Sequence, residues 1–297
     1  MPLFGSLVAY LPTPRTVTEE VAEGVLAQLV DRAVAGGASG VAVLGSTGGF
    51  AYLDRAQRRR VCEAAVEAAA GRVPVLAGVG ALTTRDVLDL ARDAEQAGAD
   101  ALLVPTMAYL PLTDDEVHEL YRCVTQVVGI PLWAYHNPVA TRYDFSIEQL
   151  RRVTRLPGVQ GVKDRGASAD LVRGRARELH HKLPADIEIG FSGDGLGVHG
   201  LLGGARTWHS GLAGVLPARY AEVADVAAAG HAERALALMA GLQPLADLAA
   251  TGGARVVHAV GEALGVDVGP LPAPLRRPGP GVLREIDRAL AGLDDPA

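Results

Sequence analysis

Residues 158–166, GVQGVKDRG, hold Lys163, one of two lysines in a chain whose lysines and arginines together number 28; the other is Lys182. Genomic nucleotide composition accounts for scarce lysine, but not for the position at which an amine is kept. Lys163 closes the apolar run VQGVK, and Tyr135 closes a similar run, PLWAY. An ammonium with an ordinary pKa of about 10.4 is costly to bury unless a carboxylate pairs with it. Asp164 is adjacent, but on a strand it faces the other way. Desolvation makes an amine lose its proton more easily, and the free amine is a nucleophile that condenses with a ketone to give a Schiff base. The same placement also suits a lysine that anchors a phosphate or carboxylate, and at this level both readings stand.

Either chemistry needs a scaffold that brings strand ends together. Short apolar runs predict eight strands, over 7–10, 40–44, 73–78, 101–104, 131–135, 158–163, 187–190 and 206–210. Amphipathic helical patterns alternate with them over 19–35, 55–70, 84–96, 114–127, 147–154 and 169–180, several opened by a capping residue such as Thr83 or Thr84, Thr113 or Ser146. Eight βα units predict an α/β fold, a (β/α)8 TIM barrel, over 1–216. A dinucleotide-binding open sheet is disfavoured because no G-x-G-x-x-G follows the first strand. After Pro217 helical patterns continue over 219–229, 232–248, 255–264 and 282–291, which predicts a C-terminal helical extension over 217–297. The proline-rich stretch 269–281 reads as a rigid surface connector. In such a barrel reactive residues sit at the C-terminal ends of strands, so Lys163 and Tyr135 both point into the mouth.

Composition narrows the field further. A chain that is 49% apolar with 36 glycines fits a well-packed globule. A net charge of -6 offers no general attraction to nucleic acid or an acidic membrane. No uninterrupted apolar run of about 18 residues and no basic-then-apolar leader is present, so the expected location is cytoplasmic. Cys62 and Cys123 lie in helical patterns without partners at metal-ligand spacing. His180 and His181 are adjacent and on a helix point about 100° apart.

Three segments, GSTGG at 45–49, YHNP at 135–138 and GVKD at 161–164, end the predicted second, fifth and sixth strands. Together they resemble the family of dihydrodipicolinate synthase and N-acetylneuraminate lyase, class I aldolases built on this barrel. The similarity runs from about Gly5 into the C-terminal helices. It implies that Lys163 forms an imine with pyruvate or another 2-keto acid and that Tyr135 shuttles protons, as a phenol can. It implies that Ser46, Thr47 and Gly48 hold the substrate carboxylate in a glycine-permitted turn. It further implies chemistry without metal or organic cofactor, and a homotetramer assembled as a dimer of dimers.

Departures from the family pattern bear on substrate choice. Gly49 and Phe50 follow the loop where the family usually has Glu. Where the synthases place a second relay tyrosine after strand four, this chain has Ala108, with Tyr109 one position on. Where they place an arginine for the aldehyde substrate's carboxylate it has Ala140, and Arg142 is the nearest substitute. YHNPVATRYDF and TWHSG are instead similar to the hydratase-aldolase branch, in which Asn137 positions a water and Trp208 stacks on a flat or apolar substrate. Core packing is the alternative for Trp208. Strand parity allows only one of Trp208 and His209 to line the pocket. The expectation is therefore a lyase or aldolase, or a related hydro-lyase such as a hydratase-aldolase or sugar-acid dehydratase. The lysine-pathway synthase itself, a non-catalytic keto-acid-binding barrel and a metal-dependent aldolase are the alternatives.

Overall fold

Every predicted strand forms, within two residues at either end, in the computed structural model, which describes residues 2–294. The strands are β1 (Leu7–Tyr10), β2 (Gly40–Val43), β3 (Val75–Gly78), β4 (Ala101–Pro105), β5 (Leu132–Tyr135), β6 (Val159–Asp164), β7 (Glu188–Ser192) and β8 (Thr207–Ser210). All pair in parallel with their sequence neighbours, and β8 returns to β1 to close the barrel. Around them run α1 (Glu23–Ala35), α2 (Arg55–Ala69), α3 (Thr84–Gln96), α4 (Asp114–Thr125), the single turn α5 (Pro138–Thr141), α6 (Ile147–Val153), α7 (Ala169–Lys182) and α8 (Gly197–Leu202). The chain ends in α9 (Pro217–Ala228), α10 (Ala232–Gly252), α11 (Ala254–Ala263) and α12 (Pro280–Asp294). The fold is thus a (β/α)8 TIM barrel with additional C-terminal helices.

Local signals explain most boundaries. Asp54 caps α2 and Thr113 caps α4, each in a reciprocal capping box with the residue three positions on, Gln57 and Glu116. α1 begins four residues later than its apolar pattern predicts, because Arg15 and Val21 first form a small antiparallel bridge. α8 has no counterpart among the predicted helices. Its sequence, GVHGLL, is glycine-rich and lacks a side-chain cap, so propensity argues against it. The glycines serve packing: a Cβ on Gly197 would fall 1.8 Å from the Trp208 ring.

Two apolar layers follow from the period-two alternation of the strands. Phe4, Val8, Tyr10, Leu76, Leu103 and Trp133 are among those filling the barrel interior, and a larger layer joins the barrel to its helices. Gly161 and Gly190 make the interior's bulky rings possible. A Cβ at either would lie 2.3 Å from the Trp133 indole or the His209 imidazole, respectively.

α9 packs against β1, α1 and α8 and so completes the ring of helices. The extension begins after it, one helix later than a break at residue 216. α10 packs on α9 and α12 and lays one face across the C-terminal mouth of the barrel. Its 21 residues have the length and mean hydropathy, 1.2, of a membrane-crossing helix. Leu242, Leu245 and Ala246 are nevertheless buried against the rest of the protein.

Candidate active site

The barrel mouth contains a cavity of about 410 Å³. Lys163 ends the inward face of β6, directly in register with Tyr135 on β5 and Gly190 on β7. Its side chain is 5% exposed. Nζ lies 3.6 Å from the centroid of the Tyr10 ring and 4.5 Å from that of Tyr135. Desolvation pulls the amine down to about 7, with the Asp194 carboxylate opposing that shift and Arg165 adding to it. At pH 7 an ordinary lysine is unprotonated in roughly one molecule in 3,000; here the free amine is a major species.

Tyr135 is held by its hydroxyl. Asn137 Nδ2 donates to Tyr135 Oη at 2.8 Å, and Ser46 Oγ lies 3.4 Å from the same oxygen. Ser46 and Thr47 come from the loop after β2, where Leu44 and Gly49 both adopt left-handed backbone angles, φ 58° and 61°. Thr13 Oγ1 donates to the Gly48 carbonyl at 2.8 Å and ties this loop to the chain after β1. Asp194, in the loop after β7, accepts from Ser210 Oγ at 2.6 Å and from the Leu212 amide at 2.9 Å. Burial pushes its carboxyl up in spite of those donors and of Lys163. From α10, Gln243 and Asp247 reach the cavity, with Gln243 Nε2 donating to Asp247 at 2.7 Å.

A buried amine of lowered pKa beside the hydroxyls of Tyr135, Ser46 and Thr47 is chemically able to add to a carbonyl group. Comparison with known proteins bears on which kind of enzyme this is. A profile of the dihydrodipicolinate synthetase family matches residues 3–286. The chain belongs to that family. It is 34% identical over 245 residues to a 4-hydroxy-tetrahydrodipicolinate synthase of Acidiphilium cryptum, covering 82% of each chain. It is 38% identical over 179 residues to one of Phenylobacterium zucineum, a match spanning 60% of each. The crystal structure of a dihydrodipicolinate synthase from Agrobacterium tumefaciens superposes with a TM-score of 0.94 at 37% identity, covering 98% of both chains. One from Acinetobacter baumannii, complexed with pyruvate, gives 0.91 at 26% identity over 98% of this chain and 99% of that one. This member of the dihydrodipicolinate synthetase family is accordingly an enzyme, a lyase of the class I aldolase type.

Within the family member's cavity the structure brings together Lys163, Tyr135, Ser46, Thr47, Asn137 and His209. Gly48 shapes the loop but lines a separate small cleft beside it. Three sequence expectations need correction. Trp208 is fully buried on the outer face of β8, where its ring meets Tyr220 of α9 and its Nε1 donates to the Gly193 carbonyl at 3.0 Å. The pairing of Leu7 with Trp208 and Val8 with His209 decides the parity that sequence left open. Arg142 terminates α5 in a left-handed conformation and is exposed, away from the cavity. Tyr109 is 84% exposed on the loop after β4 and does not line the cavity. The guanidinium that does line it is Arg165, whose Nη1 lies 3.4 Å from Asn137 Oδ1. Arg165 stands two residues after Lys163 and Tyr10 ends β1, so the strand-end rule reaches both. Nothing in the sequence of α10 singles out Gln243 or Asp247.

Behind the cavity, Asp164 faces outward with no exposure, as its parity predicts. It accepts from Arg175 Nε at 3.0 Å and lies 2.6 Å from His136 Nδ1, while His136 Nε2 lies 2.9 Å from Asp144. Burial pulls the imidazole's pKa down, but its bonds to Asp164 and Asp144 outweigh that and hold it above 6.5, with Arg175 opposing. A raised histidine stabilises the folded state fully below the unfolded pKa, and this contribution is lost as pH rises through the folded one. Lys163, depressed, acts in the opposite sense at higher pH. Thermal unfolding of wild type and His136→Gln across pH 5 to 9 is expected to show the wild-type advantage shrinking as pH rises. An advantage that is constant with pH would contradict this.

Proposed function

We propose that this enzyme cleaves or forms a carbon–carbon or carbon–oxygen bond in a 2-keto acid, pyruvate being the simplest, through a Schiff base on Lys163. The observation that carries the reading is the Lys163 amine itself, buried in the mouth against the Tyr10 and Tyr135 rings, where desolvation lowers its pKa to about 7. Neutral Nζ adds to the C2 carbonyl, and its proton passes to the carbonyl oxygen. The resulting hydroxyl leaves as water with a proton from Tyr135, whose Oη is aimed by Asn137 and Ser46. The iminium then acts as an electron sink: loss of a proton or of a bond at C3 gives the enamine. Ser46 and Thr47 hold the C1 carboxylate with hydroxyls and amides, and no metal or organic cofactor is required.

Arg165, Gln243 and Asp247 line the cavity, which supports a polar substrate tail over a flat aromatic one, since Trp208 is turned away. The names of the relatives favour a second reading, the lysine-pathway synthase. Against it stand Ala108 and Ala140 at the two family positions and the exposed Arg142. We read the assembly as a homotetramer, with the exposed pair Tyr109 and Leu110, at 84% and 70%, available for a subunit contact; sedimentation velocity checks this. Free Cys62 and Cys123 accord with a cytoplasmic location, which fractionation checks. The chemistry is tested by incubating the protein with pyruvate and borohydride and measuring intact mass. A pyruvate-sized adduct is expected; its absence with pyruvate and with longer 2-keto acids removes the reading.

A further inference from the structure

The floor of the cavity carries an assembly for which the chemistry above has no use. Tyr10 lays its ring closer to Lys163 Nζ than Tyr135 does, 3.6 Å against 4.5 Å to the centroid. The far end of that ring is fixed: Tyr10 Oη lies 3.1 Å from His209 Nδ1. Both side chains are buried, 3% and 2% exposed. The imidazole stands edge-on to Trp133, with ring centres 5.2 Å apart. Burial holds the phenol well above and the imidazole well below their ordinary pKa values, so both are neutral and the Tyr10 hydroxyl donates to the Nδ1 lone pair. The imidazole proton then resides on Nε2, which is buried and has no partner among the described residues.

An unpaired buried donor is destabilising, and an apolar residue would fill the same space without that penalty. The arrangement has a reason if the tyrosine ring must be held still. A tyrosine face attracts a cation, most strongly where water is excluded. The nitrogen of Lys163 becomes such a cation when the iminium forms.

We propose that Tyr10 is a catalytic residue whose ring face stabilises the cationic nitrogen of the Lys163 imine, and that His209 is the positioning residue that holds this ring in place. The inference rests on the Schiff-base reading above. Tyr10 exchanges no proton in it: the proton that completes the departing water comes from Tyr135, and the charge left on nitrogen lies against Tyr10. The other groups around that nitrogen, Asp194, Arg165, Tyr135 and His209, are unchanged in variants at position 10.

The test measures the fraction of protein trapped as the reduced pyruvate adduct, at subsaturating pyruvate and as a function of pH. Tyr10→Phe keeps the face but loses the bond to His209 and is expected to fall about threefold, whereas Tyr10→Leu falls about tenfold. The apparent pKa for amine addition also moves down in Tyr10→Leu, because the ammonium loses the same face. A series of phenylalanines carrying one, two and three ring fluorines at position 10 keeps the shape and drains the π face, so trapping is expected to fall stepwise. That series guards against a misfolded leucine variant. His209→Phe is expected to lower trapping about threefold in wild type and to have no effect in Tyr10→Phe, since the bond it removes is already absent. A flat fluorine series overturns the role of Tyr10, and an equal cost of His209→Phe in both backgrounds overturns that of His209. If wild type itself forms no adduct, the Schiff-base reading fails first.

Discussion

Lys163→Ala is expected to reduce turnover by about 10⁴-fold or more and to abolish the borohydride-trapped adduct, because loss of a covalent nucleophile leaves only the binding contribution. Lys163→Arg is expected to be equally inactive, since a guanidinium keeps its proton at any accessible pH. The amine's pKa of about 7 sets the direction of the pH response. In wild type kcat/KM should rise with pH through that region as the nucleophile is uncovered, then level off where an unperturbed lysine would still be protonated. Intact mass and steady-state rates on the same preparations decide the matter. An alanine variant that still turns over, and does so only until a chelator is added, would establish metal-dependent chemistry in its place.

Tyr135→Phe is the second large effect. It removes one oxygen while leaving the ring near Lys163, so imine formation at equilibrium should persist and kcat should fall about 10²- to 10³-fold with little change in KM. Asn137 donates to that oxygen at 2.8 Å; Asn137→Ala therefore removes its orientation but not the proton, and a smaller loss is expected. Single-turnover trapping against steady-state rate separates the two steps. Equal losses in both variants would mean that orientation alone accounts for the tyrosine's contribution.

The placement of Lys163 and Tyr135 in the barrel mouth was legible because a parallel barrel gathers its strand ends there, and a strand end can be located from an apolar run to within two residues. The same logic reaches Tyr10 and Arg165 from their positions after β1 and β6. It stops where the answer depends on how distant segments pair. The choice between Trp208 and His209 turns on which neighbour each meets on β1, and that is a property of the closed sheet. Arg142 is the nearest arginine in sequence to the family position, yet the turn of α5 sends it to the surface. α8 was hidden because glycines chosen for close packing against Trp208 and Phe191 look like loop residues. Gln243 and Asp247 could not be anticipated, since nothing local in an alanine- and leucine-rich helix says that one of its faces will lie over an active site.

That α10 lies over the mouth divides the enzyme's inheritance. In the proposed chemistry the bond-making groups, Lys163 and Tyr135, hang from strands whose backbone ladder fixes their spacing, while the ceiling above them is a helix anchored elsewhere, on α9 and α12. Exchanging residues on that ceiling alters what can be admitted without displacing the reacting atoms. New specificities can thus be acquired by drift in a region more than sixty residues downstream of Lys163, with the proposed reaction itself left intact.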